Sequence, residues 1–231
     1  MSDRYIHAMA GPKKLVIGAS GFLGSHVTRQ LVQRGDDVRV LVRRTNVEGL
    51  QHVLDAAVDA DLRRFVFTSS IATIGIPTED RPATEDDAEK SGSYIQSRVD
   101  AENLVVQYAN DRGLPAVALC VSNTYGPGDF APTPHGRQIA LAAAARMPFY
   151  IKGWDSEVVG VEDAATALLL AAEKGRNGER YIISERFMTA RELYETAAEA
   201  WRGEPATIRR PDLGDVRRGF RRRSGGPVTS A

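Results

Sequence analysis

The sequence predicts an α/β fold, a doubly wound parallel sheet covered by helices. Two observations carry that expectation. Up to about residue 200, short β-rich runs alternate with longer amphipathic segments, the pattern of a parallel sheet with helical crossovers. A glycine-rich turn also joins the first β-rich run directly to the first amphipathic segment. Composition permits such a fold: 231 residues, 42% hydrophobic and 26% charged, lie near the average of a soluble globular protein. Disordered and collagen-like chains are thereby excluded.

Taken in order, Lys14–Ile17 reads as a buried strand. A helix follows from about Gly21 to Arg34, with Phe22, Leu23, Val27, Leu31 and Val32 near helical spacing and Gly35 suited to close it. Val38–Val42 is a second strand, and Val47–Ala60 a helix burying Val47, Leu50, Val53, Leu54, Ala57 and Val58. Phe65–Ser69 is a third strand, followed by a polar loop containing Pro77 and Pro82. Tyr94–Asn110 is the clearest helix, with Ile95, Val99, Leu104, Val105 and Tyr108 facing inward. Gly113 and Pro115 close it before the strand Ala116–Val121. Asn123–Pro134 reads as a loop, and Gln138–Arg146 and Glu162–Lys174 as helices. Asn177-Gly178 turns into a short strand, Tyr181–Ile183. Thr189-Ala190-Arg191-Glu192 is a capping box that starts a helix running to Ala200.

The formal net charge of zero conceals an asymmetry. Residues 201–231 hold eight arginines, no lysine and three acids, so residues 1–200 carry −5. The chain therefore divides into an N-terminal arm (1–13), a body (14–200) and a basic tail (201–231). Such a tail can bind nucleic acid, but no aromatic or motif context accompanies these arginines, and a solvated terminus is the expectation. No apolar run reaches the ~20 residues of a membrane span, and residues 1–14 lack the apolar core of a signal peptide. The single cysteine, Cys120, forms no internal disulfide and fits a reducing, cytoplasmic setting. His7, His26, His52 and His135 have no metal-ligand spacing, so no metal is expected.

Two constellations carry chemistry. In the first, the strand Lys14–Ile17 enters Gly18-Ala19-Ser20-Gly21-Phe22-Leu23-Gly24 and then a helix. This G-x-x-G-x-x-G pattern suits a dinucleotide. Gly18 permits the tight turn, Gly21 admits the pyrophosphate, and Gly24 lets the helix pack closely on the strand while its first amides face negative charge. The second strand ends in Leu41-Val42-Arg43-Arg44 rather than in an acid, which favours the 2′-phosphate of NADP, with NAD as the alternative. In the second constellation, Phe65-Val66-Phe67-Thr68-Ser69-Ser70 ends a strand in hydroxyls, and Tyr94 opens a helix about two dozen residues later.

With these residues the chain resembles the extended short-chain dehydrogenase/reductase family, in its NAD-dependent epimerase/dehydratase branch, and looks most like the dihydroflavonol-reductase and hydroxysteroid-dehydrogenase type. The matching segments are Leu15–His26, Thr45–Gly75, Ser93–Glu102 and Ala116–Asp129, with a looser stretch from Val158 to Ala200. The resemblance implies a Rossmann-like domain with part of a substrate-binding region. It implies Ser70 as the group that hydrogen-bonds the substrate oxygen and Tyr94 as the acid/base. The implied cofactor contacts are Gly18, Ser20, Gly21, Phe22, Leu23, Gly24, Arg43, Asn46, Ser69, Val121 and Asn123. Asn123–Asp129 matches a loop bordering nicotinamide and substrate. The implied partner is a small organic carbonyl or alcohol, and the Tyr94 helix resembles one that forms a homodimer.

Three departures bear on activity. The family's lysine after tyrosine is Arg98 here, which supplies a cation one helical turn from Tyr94 but cannot release a proton. Two strands and a helix that the family places between its second strand and the T-N-V-x-G helix are missing, because Arg43-Arg44 runs straight into Thr45-Asn46-Val47. Phe65–Ser69 then either pairs directly with Lys14–Ile17 or leaves a gap in the sheet. Finally, the resemblance stops near Ala200, where the family continues. The expected function is an NAD(P)-dependent oxidoreductase or epimerase-type enzyme. The alternative is a catalytically impaired dinucleotide-binding protein that acts through partners.

Overall fold

The computed structural model describes residues 13–41, 47–75, 81–87, 93–147, 149–150 and 155–202. Strand β1 (Lys14–Ile17) leads through the glycine turn into α1 (Phe22–Gln33), followed by β2 (Val38–Leu41), α2 (Val47–Asp59) and β3 (Phe65–Ser70). A single 3-10 turn, Ile71–Thr73, follows β3. Next come α3 (Ser93–Arg112), β4 (Ala116–Val121), β5 (Asn123–Tyr125) and α4 (Pro134–Ala143). The order ends with β6 (Ser156–Gly160), α5 (Val161–Lys174), β7 (Arg180–Ile183), β8 (Arg186–Met188) and α6 (Ala190–Arg202).

The backbone falls into two compact units, one containing the chain up to Thr133 with Ser156–Phe187, the other Pro134–Asp155 with the chain from Met188. In the first unit β4 is the centre. All six of its residues are buried, and it pairs in parallel with β3 on one side and β7 on the other. Ser70 stands opposite Val121, and Val121 opposite Ile183, so three strands end level at their C-terminal edge. Alternation sends Val117, Leu119 and Val121 to one face, where they meet Ala164, Leu168 and Ala171 of α5, with Leu23 and Val27 of α1 packed against them. On the other face, Ala116 meets Leu54 and Ala57 of α2 and Val105 and Tyr108 of α3. Both faces of this sheet are therefore covered, as a doubly wound fold requires.

The sheet is nevertheless interrupted. Strand β1 pairs with β2 in parallel, Lys14 opposite Val38 and Ile17 opposite Leu41. Among the described residues this is β1's only strand partner, and β3 is the edge of the β3–β4–β7 sheet. Of the two arrangements the sequence left open, the structure takes the gap. A consequence is exposed apolar surface on the two-stranded piece: Leu15 is 62% and Val40 52% accessible, where β4 residues are almost fully covered. What joins β1–β2 to the rest of the unit is α1. Its apolar side enters the core already described, while Gln30 Nε2 donates to Glu162 O at 3.0 Å and Arg34 pairs with Glu173 at 2.8 Å. Alanines 164 and 165 at the start of α5 are fully buried, so the two helices approach closely.

Three expectations need correction. Asn123–Tyr125 is not loop but β5, pairing with β6, and this third sheet continues to β8. Neither β6 nor β8 is anticipated from the sequence. Helix α4 starts at Pro134, four residues before the expected start, because proline is well placed in a first turn where its missing N–H is not needed. In the second unit, Ala142 of α4 and Tyr194 and Ala198 of α6 are buried, and Tyr194 donates to Gln138 Oε1 of α4 at 3.4 Å. The capping box is formed as expected, with Thr189 N–H donating to Glu192 Oε2 at 2.9 Å and Glu192 N–H to Thr189 Oγ1 at 3.2 Å.

Because β4 anchors both cores, Leu119→Ala is expected to cost about 2–5 kcal/mol of unfolding free energy. Leu15→Ala, on the exposed piece, is expected to change it by less than about 0.5 kcal/mol. Urea denaturation of the two variants checks the contrast.

Candidate active site

The glycine turn is formed by short-range forces. Gly18 has φ +82°, a left-handed conformation, and its carbonyl accepts from Gly21 N–H at 2.9 Å. A Cβ on Gly24 would lie 2.2 Å from Gly18 O, so only glycine lets the helix sit this close to the turn. Gly21 is the N-cap of α1, makes no side-chain cap, and no acid occupies the first turn. Within α1 itself, then, neither a side-chain cap nor an acidic side chain meets the leading amides and the positive end of the helix dipole, a condition that favours an anion. Ser20 is exposed beside this opening, and Phe22 and Leu23 are half-buried. A pyrophosphate fits a cradle of this kind.

Ser70 ends β3 and caps the following 3-10 turn, its Oγ accepting from Ala72 N–H at 3.2 Å. Accepting uses a lone pair and leaves the hydroxyl hydrogen available to donate. Ser69 is buried at 4% exposure, and its Oγ has no hydrogen-bond partner among the described residues. Ser122, just beyond β4, is in the same condition. A buried hydroxyl without a partner costs about 1–3 kcal/mol, a cost that a bound polar ligand removes. Val121 is buried between Ser70 and Ile183, and Asn123 is half-buried at the start of β5. Tyr94 is the second residue of α3, and Arg98, half-buried, follows one turn later. Arg43 and Asn46 lie outside the described residues, as does the side chain of Tyr94.

The structure thus brings Ser69, Ser70 and Val121 to one sheet edge. It places the glycine turn on a different sheet, with the gap between them. A close packing residue absent from the expectations connects the turn's helix to the neighbouring loop. His26, 2% exposed, makes a 2.9 Å hydrogen bond from Nε2 to Pro127 O and stacks edge-on against Phe22. The loop it grips is built tightly. Gly126 has φ +150°, and a Cβ there would lie 2.5 Å from Val161 Cγ1. The Asp129 carboxylate accepts from Thr133 N–H and Oγ1–H, both at 2.9 Å. In sequence, the only sign of His26 is its position on the apolar side of α1, between Leu23 and Val27.

A second unanticipated group is Glu102, 3% exposed on α3. Arg180 Nε lies 2.5 Å from its Oε1, and the Cys120 thiol donates to Oε2 at 3.4 Å. Burial, and then the charge of Glu102, push the Cys120 thiol up to about 11, so it is held neutral rather than as a reactive thiolate. Signal for Glu102 exists in the helical pattern: it lies four residues after Arg98 and eight after Tyr94, on neighbouring lines of one helix face.

Comparison with known proteins gives this geometry a context. A model of the NAD dependent epimerase/dehydratase family matches residues 14–52 and 44–184. A Synechocystis protein carrying the name of a dihydroflavonol 4-reductase is 28% identical over 73% of this chain and 66% of its own length. The dTDP-glucose 4,6-dehydratase of Streptomyces griseus is 33% identical over 76% of this chain and 52% of its own. The solved structure of gox2253 superposes with a TM-score of 0.76 at 26% identity, covering 90% of this chain and 83% of that one. The chain therefore spans about half to two thirds of the length of these two relatives. No helix among the described residues is long and apolar enough to cross a membrane.

Gly24→Ala tests the turn. Its methyl has nowhere to go but into Gly18 O, and the expected cost is about 1–3 kcal/mol of stability. Loss of dinucleotide binding is expected alongside it in calorimetric titration.

Proposed function

The chain belongs to the NAD-dependent epimerase/dehydratase family, and on that premise we propose that it is an NADP(H)-preferring oxidoreductase or epimerase-type enzyme. Its substrate is a small organic carbonyl or alcohol. The observation that carries this reading is the glycine cradle: Gly24 packed where no Cβ fits, opening onto a helix N-terminus whose first turn holds no acid and whose N-cap makes no side-chain bond. The preference for NADP rests on Arg43 and Arg44, which follow the second strand in the sequence, where a 2′-phosphate calls for cations.

In this reading Gly18, Gly21 and Gly24 hold the pyrophosphate, and Ser69, Val121 and Asn123 border the nicotinamide half. The bound nicotinamide supplies or accepts a hydride. Ser70 donates its remaining hydroxyl hydrogen to the substrate oxygen and fixes its direction. Tyr94 gives that oxygen a proton in reduction, or takes one in oxidation. A free tyrosine titrates near 10, so its phenolate needs a cation nearby to serve near neutrality, and Arg98 provides one about 6 Å further along the helix axis. Arginine holds its own proton throughout, so the proton lost or gained by Tyr94 exchanges with solvent rather than through residue 98.

A second reading is favoured by the interrupted sheet. Adjacent strands stand about 4.8 Å apart, so the absence, among the described residues, of a strand between β1 and β3 bears directly on the spacing of the cradle and the Ser70 edge. Misplacement of ~1 Å already costs on the order of 100-fold in rate. The chain would then bind the dinucleotide, turn over weakly or not at all, and act through partners.

One experiment separates the two. Purified chain is titrated with NADPH and NADH, then assayed over a panel of carbonyls, alcohols and nucleotide sugars. The enzyme reading expects tighter NADPH binding and a measurable turnover that falls by about 100-fold or more in Tyr94→Phe. Turnover unchanged in that variant removes Tyr94 from the reaction. NADPH binding with no turnover on any substrate supports the second reading, and binding of neither dinucleotide defeats both.

A further inference from the structure

A carboxylate that is 3% exposed is costly to keep charged unless it is paired and hydrogen-bonded. Glu102 has both kinds of partner. Arg180, at the start of β7 and 19% exposed in its side chain, places Nε 2.5 Å from Oε1, a charge contact not aligned as a hydrogen bond. Thr73 Oγ1 lies 3.0 Å from Oε2 and 2.8 Å from Ser70 O. Its single hydrogen is therefore shared between the carboxylate and the carbonyl of Ser70, and the Cys120 thiol supplies Oε2 with a second donor.

The same arginine reaches a third segment. Its Nη1 donates to Glu85 O, and Ile182 N–H donates to the Glu85 carboxylate at 3.1 Å. Glu85 sits in the 81–87 loop, which Asp87 closes by accepting a fork from Arg81 at 2.7 and 2.8 Å and Thr84 N–H at 2.8 Å. Three segments thus converge on one ion pair: the turn after Ser70, the loop that precedes the Tyr94 helix, and that helix itself. Stability alone does not account for such a pair, since well-packed apolar residues in its place are often at least as stabilising. What apolar residues cannot do is hold a carbonyl, a hydroxyl and a loop at fixed hydrogen-bond lengths.

We propose that Glu102 is a positioning residue: its carboxylate, held by Arg180 and joined through Thr73 to the carbonyl of Ser70, sets the Tyr94 helix against the turn that carries Ser70. The proposal rests on the reading of Ser70 and Tyr94 as reacting groups. Arg180 is its counter-charge and Thr73 its link to the turn. The phosphate cradle is not part of this network.

The test uses the full chain and two variants. Glu102→Gln/Arg180→Met removes both charges at similar volume, so neither is left unpaired in the interior. Thr73→Val removes only the shared hydroxyl and keeps the ion pair, and it stands as the measurement if the double variant does not fold. Amide hydrogen exchange is followed at Ala72 and Ile74, and at β4 as an internal reference. The expected result is exchange at Ala72 and Ile74 faster by about tenfold or more, with β4 unchanged. NADPH affinity should stay within about twofold, and kcat should fall by about tenfold or more with KM unaltered. Unchanged exchange at Ala72 and Ile74, or a rise of equal size across β4, would overturn the proposal, because the pair would then be inert or merely stabilising. Absence of turnover in the parent chain would defeat the enzyme reading instead, while the exchange comparison would still decide whether Glu102 holds the turn.

Discussion

The packing of α1 on α5 is the interaction on which the rest of the structure depends. In a continuous parallel sheet, hydrogen bonds along every strand edge would fix β1 beside its neighbour. Here, among the described residues, β1 has β2 on one side and no strand on the other, so the glycine turn at its end is located by a helix face. Leu23 and Val27 of α1 enter the same apolar cluster as Leu119 of β4 and Leu168 of α5, and Gln30 and Arg34 fasten the polar edge of the contact. Side-chain packing is strong but less directional than a strand ladder. The cradle is accordingly well formed in itself and less tightly registered to the Ser70 edge than a paired strand would make it.

Buried polar contacts supply part of the missing register. His26 carries the helix of the cradle to the carbonyl of Pro127, and the glycines at 126 and 128 let that loop approach closely enough to be gripped. On the opposite face of β4, Glu102 and Arg180 bind α3, the Ser70 turn and the 81–87 loop. Each of these contacts costs desolvation and returns direction. They lie on either side of the central strand, which is itself covered on both faces and holds the level ends of β3, β4 and β7. The candidate site is thus an assembly of a locally determined turn and a sheet edge, linked by packing rather than by pairing.

Much of this was legible in the sequence because it is local. Ala116–Val121 is an unbroken apolar run and is the buried strand that run suggests. The glycine spacing, the capping box at Thr189 and the helix after Ser93 all follow from patterns within one or two turns of chain. What escaped is what depends on partners. Ser156–Gly160 and Asn123–Tyr125 are too short to show alternation, and become strands only because they meet each other. Glu102 reads as an ordinary polar helix residue until Arg180, distant in sequence, neutralises it. The choice between direct pairing and a gap was also open, since missing residues leave no pattern; α1 and α5 decide it by keeping β1 where it is. The roles of Ser70, Tyr94 and Arg98 come from resemblance.

The central claim, that β1 is held by its helix and not by a strand on the side of β3, is tested most directly by native-state amide exchange resolved along β1 and β4. The account predicts that β4 amides exchange only through global unfolding. It also predicts that the β1 amides not bonded to β2 exchange through local opening, orders of magnitude faster. Protection of every β1 amide equal to that of β4 would contradict it, because each would then have a strand partner on both sides.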